Sequence, residues 1–303
     1  MPGAILKHIP GMRTAPSVPV LNVEDLSEKV FVDDYVAHSK PCIIRGAAKH
    51  WPALQKWGNA DYVKKRCGHH KIFLIPHEYH LSLPRNDVGK KIVTFSDAID
   101  FLQAPGTKMG MFATNNPTEL APDTAGFPFL TKPEPAFTYA ALRYFFYRAA
   151  GTTWHYHPFD ETLMCQVIGA KQIGLLKVDA ASHKAIRHAF LTESYYDDPS
   201  AFDRVDAAHL NWLTATLEEG DALYIPQMWW HGVSPIGGDF GITVAACWRS
   251  PLPVLADSIR RMASGEIEMI GMHGANDEFQ RILSVAKPMG LGNELMTAWS
   301  RGL

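Results

Sequence analysis

His155-Tyr156-His157-Pro158-Phe159-Asp160-Glu161 is the stretch on which the reading of this chain turns. In extended backbone, side chains two apart share a face, so His155 and His157 look into one space, and a turn bearing two carboxylates follows them. Gly220-Asp221-Ala222-Leu223-Tyr224-Ile225-Pro226-Gln227-Met228-Trp229-Trp230-His231 then reads as a Gly-Asp turn, a short apolar strand and a proline ahead of an aromatic pair. That segment delivers a third imidazole, His231, from a neighbouring strand. Neutral imidazoles suit iron, nickel, copper or zinc, and three of them with open positions make a redox or Lewis-acid site rather than a closed structural one.

Outward from these segments, residues 142–248 carry short β-rich runs broken by Gly, Asp and Pro: Tyr144-Phe145-Phe146-Tyr147, Thr162 to Val167, Ile173 to Val178 and Ile242 to Ala246. The pattern predicts a mainly β fold, a sandwich or jelly roll of eight strands in two sheets. N-terminal to it, a helix is expected over Val23–Val36 and a buried strand at Cys42-Ile43-Ile44. A second helix is expected over Asn59–Cys67, capped by Asn59 and ended by Gly68, then a strand over Lys71–Pro76 and a helix over Thr94–Leu102. Residues 104–135, rich in Pro, Gly, Asn and Thr, read as a long loop that could roof the site. Beyond Pro253 the spacing turns helical again, over Leu255–Met262, Asn276–Ala286 and Asn293–Ser300. The expected organisation is a flexible arm over 1–17, a barrel domain with its N-terminal α/β elaboration over 18–252, and a helical appendage over 253–303.

A chain of 303 residues with 47% apolar and 20% charged residues can bury a sizeable core as one unit. Its net charge of −2 argues against a global basic field for nucleic acid, and Lys64-Lys65-Arg66 with His69-His70-Lys71 reads as a solvated helix end. Cys42, Cys67, Cys165 and Cys247 have no framework spacing, which points to reduced thiols and a cytoplasmic setting. Neither a signal peptide nor an apolar run of membrane-spanning length is expected.

His-x-His-x-x-x-Glu followed by Gly169, then Gly-x-x-x-x-x-Pro-x-x-x-x-His, resembles the two sequence motifs of the cupin superfamily. The flanking segments Lys40 to Gly46 with Trp51-Pro52-Ala53 and Trp57, Gln166 to Lys171, and Val244 to Trp248 are similar to its JmjC and cupin-like hydroxylase branch. The resemblance runs from about residue 18 to 250 and implies a double-stranded β-helix. One departure matters. That branch places Asp or Glu where this chain has His157, and one residue more than usual separates His155 from Gln166. Both features return the segment to the older cupin pattern, in which His155, His157, Glu161 and His231 hold the metal; Asp160 could replace Glu161.

The resemblance implies Fe(II) and 2-oxoglutarate, with Lys171 receiving the distal carboxylate and Thr152 or Tyr144 adding a hydroxyl. In that branch the keto acid is oxidised to succinate and carbon dioxide while the substrate is hydroxylated. Two alternatives stay open: a 2-oxoglutarate-independent cupin dioxygenase or isomerase whose substrate chelates the metal, and a noncatalytic metal-binding cupin. The branch acts on protein side chains, modified tRNA bases and small molecules, so the substrate is left undefined. Trp154, Tyr224 and Trp229, with Phe159 and Trp230, are candidate pocket aromatics. Similar C-terminal helices form homodimers, and Met262, Ile267, Met269, Ile270 and Met272 are the side chains expected at such a contact.

Overall fold

Alternation of inward and outward side chains builds two sheets whose inner faces meet. The computed structural model describes residues 6, 11–75, 91–104, 110–115, 117–184, 210–237, 240–267 and 276–302. One sheet has seven strands in the order β1 (Val20–Asn22), β2 (Cys42–Arg45), β11 (Ala222–Ile225), β8 (Asp160–Ile168), β13 (Phe240–Arg249), β6 (Leu142–Arg148) and β5 (Gly110–Asn115). The other has four, in the order β10 (Leu213–Leu217), β9 (Ala170–Lys177), β12 (Trp229–Ile236) and β7 (Thr152–His155). Strands β11, β8, β13 and β6 with the four of the smaller sheet make the eight-stranded sandwich that the sequence predicts; β1, β2 and β5 extend its larger sheet. Every pairing in these two sheets is antiparallel except β1 with β2. A two-stranded ribbon, β3 (Lys71–Leu74) with β4 (Lys91–Thr94), stands beside them.

Between the sheets, Ile43, Leu223 and Ile225 from one side meet Ile173, Leu175, Leu217 and Val233 from the other. The opposite face of the larger sheet carries Tyr144 and Phe146, which pack on Trp57, Phe95 and Phe112 of the N-terminal elaboration. The helix Ala60–Cys67 is capped as its sequence predicts, the Asn59 side chain accepting from the amides of Asp61 and Tyr62. Phe95–Gln103 is the third expected helix, capped by Thr94.

Three expectations change. Val23–Val36 is not one helix: a 3-10 turn (Val23–Asp25), an α turn (Glu28–Val30) capped by Ser27, and a π turn (Phe31–Val36) follow one another. The wide turn lets Phe31 and Val36, five apart, both reach the core. The described residues of 104–135 do not roof the cavity, since β5 takes an edge of the larger sheet and Leu120, Phe127 and Phe129 cover that sheet's outer face. Within the segment expected as an arm, Met12 is buried on the smaller sheet and Pro16 O accepts from the Thr214 amide, so residues 11–17 pack on the barrel.

The C-terminal helices Leu252–Ser264, Asn276–Ala286 and Gly292–Gly302 lie over the outer face of the smaller sheet. Met262 and Ile267 are buried there within this chain, while Met269, Ile270 and Met272 lie outside the described residues. Among the described residues, no helix is long and apolar enough to cross a membrane, and all four cysteines are buried free thiols.

Candidate metal centre

His155 ends β7 and lies directly across from His231 on β12, with a register irregularity immediately after that pair. His157 stands just past the strand rather than on it. Its position is held through the backbone, because the amide of Met228 donates to the His157 carbonyl at 2.8 Å, and Met228 itself adopts a left-handed conformation (φ 56°). A non-glycine residue pays on the order of 1 kcal/mol for that geometry. Potential ligand atoms of His155, His157 and His231 all lie within 4.8 Å of one another.

Neighbouring groups prepare two of the rings. The Nδ1 of His231 lies 3.0 Å from the Trp229 carbonyl; a carbonyl only accepts, so this nitrogen carries the proton and Nε2 keeps its lone pair. The Nδ1 of His157 lies 2.8 Å from Thr162 Oγ1. Burial, followed by the neighbouring imidazoles, holds both rings well below the usual histidine range, so they stand neutral and able to ligate. A three-imidazole donor set with outer hydrogen bonds fits a divalent transition metal.

Glu161, expected as a fourth ligand, turns away. Thr162 faces the cavity, so strand alternation sends Glu161 to the opposite face of β8. There its Oε2 accepts from Tyr224 Oη at 2.7 Å and from the Gln227 amide at 3.0 Å, and burial pushes its pKa up to about 7. Asp160 does not replace it: its two oxygens accept from the amides of Phe137 and Thr138, each at 2.8 Å.

The cavity beside the histidines has a volume of about 120 Å³. Lys171 and Thr152 line it, as does Arg143. Lys171 is 5% exposed, with no hydrogen bond or ion pair among the described residues; its Nζ lies 4.0 Å from the centroid of the Tyr147 ring. Burial lowers its pKa to about 7. Tyr144 is elsewhere, on the outer face of the sheet, its hydroxyl 3.2 Å from that of Thr124.

The expected pocket aromatics also lie outside the cavity. Trp154 precedes an inward histidine on the same strand and therefore faces outward, across the paired glycines Gly174 and Gly232. A Cβ at Gly232 would come within 2.6 Å of its indole, and one at Gly174 within 2.7 Å. Trp229 fills the inter-sheet core and donates to Ser39 O, whereas Tyr224 stacks on Trp248 outside. Phe159 and Trp230 pack beneath the C-terminal helices. Sequence reasoning missed Arg143, Tyr139 and Thr162. Only Thr162 had a usable signal, its place two residues beyond a strand start.

Cys67, His70 and Glu119 form a second group with donor atoms within 4.8 Å. His70 is already hydrogen-bonded to Glu119 at 2.9 Å, and burial pushes the Cys67 thiol up to about 12, which opposes thiolate ligation.

Residues 27–252 match the sequence profile of the family described as Cupin-like domain. The chain is 25% identical over 242 residues to Lysine-specific demethylase JMJ30 of Arabidopsis thaliana, covering 74% of this chain and 53% of that protein. It is 24% identical over 247 residues to the Bifunctional peptidase and (3S)-lysyl hydroxylase JMJD7 of Homo sapiens, covering 69% and 77%. Over 254 residues it is 27% identical to tRNA wybutosine-synthesizing protein 4 of Gibberella zeae, covering 79% and 24%. The chain thus spans about half of the first of these relatives and a quarter of the last.

Proposed function

This chain belongs to the cupin-like domain family, and from that premise we propose that it is an Fe(II)- and 2-oxoglutarate-dependent hydroxylase. The observation that carries the reading is Lys171: a buried lysine with no anionic partner among the described residues, facing a cavity that also holds the three histidines. Burial disfavours the charged form of this lysine, and a carboxylate entering the cavity would supply the partner that restores it. His155, His157 and His231 would hold the iron, Lys171 would receive the distal carboxylate of the keto acid, and the Thr152 hydroxyl would assist.

When bound, the iron and keto acid together supply the oxidising power for hydroxylation. The chain's own groups set the stage for it. Trp229 O and Thr162 Oγ1 fix two of the rings, and the apolar lining of Phe145, Met164, Val233 and Ala245 limits water. His157, standing where the branch has an acid, leaves the metal without a protein carboxylate. That donor set favours a second reading, a keto-acid-independent dioxygenase whose substrate chelates the metal.

The two readings separate on one titration. Anaerobic Fe(II)-loaded protein is titrated with 2-oxoglutarate by calorimetry, in the wild type and in Lys171→Met. A charge-assisted hydrogen bond contributes about 1.5–3 kcal/mol, so the variant should bind at least about tenfold more weakly. No binding to the wild type, or equal binding to both, overturns the keto-acid reading. Names among the relatives attach to lysyl residues and to wybutosine synthesis in tRNA, which leaves the substrate of this chain to be argued from its own cavity.

A further inference from the structure

Two basic side chains line the cavity, Lys171 from the smaller sheet and Arg143 from the larger one. Arg143 and Tyr147 lie on the same face of β6, four residues apart, so their Cα atoms are separated by about 13 Å. Lys171, from the smaller sheet, sits over Tyr147 at one end. At the other end, the Arg143 guanidinium lies over the rings of Tyr139 (4.7 Å) and Phe145 (4.9 Å), and Tyr139 in turn contacts His157, ring centroids 4.7 Å apart.

The charge balance points the same way. The described cavity lining contains three imidazoles, one lysine and one arginine, and no aspartate or glutamate. Arg143 has no ion pair among the described residues, although it is half-buried. The Asp160 carboxylate, on the same sheet, is committed to the amides of Phe137 and Thr138. With His157 in place of an acid, the metal adds two further positive charges with no protein anion against them. An ammonium-bearing substrate would enter a field of its own sign, and an anion would enter a complementary one.

We propose that Arg143 is the specificity-determining residue for the substrate and that the substrate is a carboxylic acid, its carboxylate paired with the Arg143 guanidinium. This deepens the hydroxylase reading and rests on the same cavity. The planar guanidinium suits a carboxylate through two parallel N–H donors, and its stacking on two rings keeps it oriented before the substrate arrives.

The test uses Ni(II)-loaded full-length protein, which cannot turn over, and follows its melting temperature and calorimetric binding. The probes are matched acid and amine pairs on one carbon skeleton: 3-methylbutyrate with isopentylamine, 3-phenylpropionate with 3-phenylpropylamine, and N-acetyl-aspartate amide with N-acetyl-2,4-diaminobutyrate amide. Each is added with and without saturating 2-oxoglutarate. At least one acid should stabilise the wild type while its amine partner does not. Arg143→Gln should weaken that acid about tenfold or more while 2-oxoglutarate binding stays within about twofold, and Arg143→Lys should restore part of the affinity.

Amines binding in preference to acids, no acid binding at all, or acid binding unchanged in Arg143→Gln would each overturn the proposal. A loss of 2-oxoglutarate binding in Arg143→Gln would assign the guanidinium to the keto acid instead, and would overturn it equally. The arm without 2-oxoglutarate separates the two failures. If the wild type binds an acid through Arg143 but no keto acid through Lys171, the hydroxylase reading falls and the acid site stands.

Discussion

Lys171 should take up a proton when 2-oxoglutarate binds. Empty, the buried lysine has a pKa of about 7, against an ordinary 10.5; paired with a carboxylate, it returns towards the ordinary value. At pH 8 the empty protein therefore carries about 0.1 of a proton on Lys171, and binding should draw in about 0.9 of a proton, falling to about 0.5 at pH 7. Affinity should weaken about tenfold per pH unit above 7 until the bound lysine itself titrates. The assay is calorimetry of Ni(II)-loaded protein in buffers of different ionisation enthalpy, the slope of observed enthalpy against buffer enthalpy giving the protons exchanged. Lys171→Met should abolish the slope along with most of the affinity. A wild-type slope of zero at pH 8 would refute the assignment of Lys171 as the carboxylate receptor, because a lysine already charged when empty would not be the desolvated group described above.

His155→Ala, His157→Ala and His231→Ala should each lower bound iron steeply, measured as metal retained after desalting; full stoichiometry in His157→Ala would reduce the centre to two histidines. Thr162→Val keeps the shape but removes the hydroxyl 2.8 Å from His157 Nδ1, and metal competition titrations should show about 10–100-fold weaker binding. Glu161→Gln should leave metal affinity unchanged, since the carboxylate is on the far face of β8. Its stability signature is different: with the folded pKa raised from 4.5 to about 7, the wild type binds the extra proton when folded and loses stability as pH rises across that window. Denaturant melts from pH 4.5 to 7.5 should show that decline, by about 3 kcal/mol at most, and a flatter curve for the variant. Gly232→Ala should destabilise by several kcal/mol through collision with Trp154, read as a lower urea midpoint; an unchanged midpoint would mean the indole moves at little cost.

The strands and the three histidines were legible because alternation and spacing are local properties. Alternation brought His155 and His157 together although His157 lies past the end of the strand, held there by the Met228 amide, and the Gly220–Pro226 turn commits His231 to the neighbouring strand. Lys171 was legible only through the family resemblance, from its place two residues after Gly169. Which face an aromatic takes was harder. In Tyr144-Phe145-Phe146-Tyr147 both faces are apolar, so the run carries no contrast, and Tyr144 was assigned to the cavity when its hydroxyl lies outside. Trp154 was decidable, since an inward His155 forces its neighbour outward; the expectation that tryptophans line pockets overrode the parity. Glu161 failed on the same count, one residue out of step with Thr162. Arg143 could not be found, because its value lies in the absence of a partner, which depends on packing across two sheets.

The glycine slot under Trp154 also has a hereditary consequence. Gly174, Gly232 and Trp154 sit on three adjacent strands and occupy one volume, so no lineage can add a methyl group at either glycine without first shrinking the indole. Reverting the tryptophan afterwards is equally blocked. The order of substitution is therefore constrained: a smaller side chain at 154 opens the path, and a larger one at 174 or 232 closes the return. Because His155 is the next residue after Trp154 and His231 the one before Gly232, drift in this slot on the outer face is transmitted directly to the spacing of the imidazoles on the inner one.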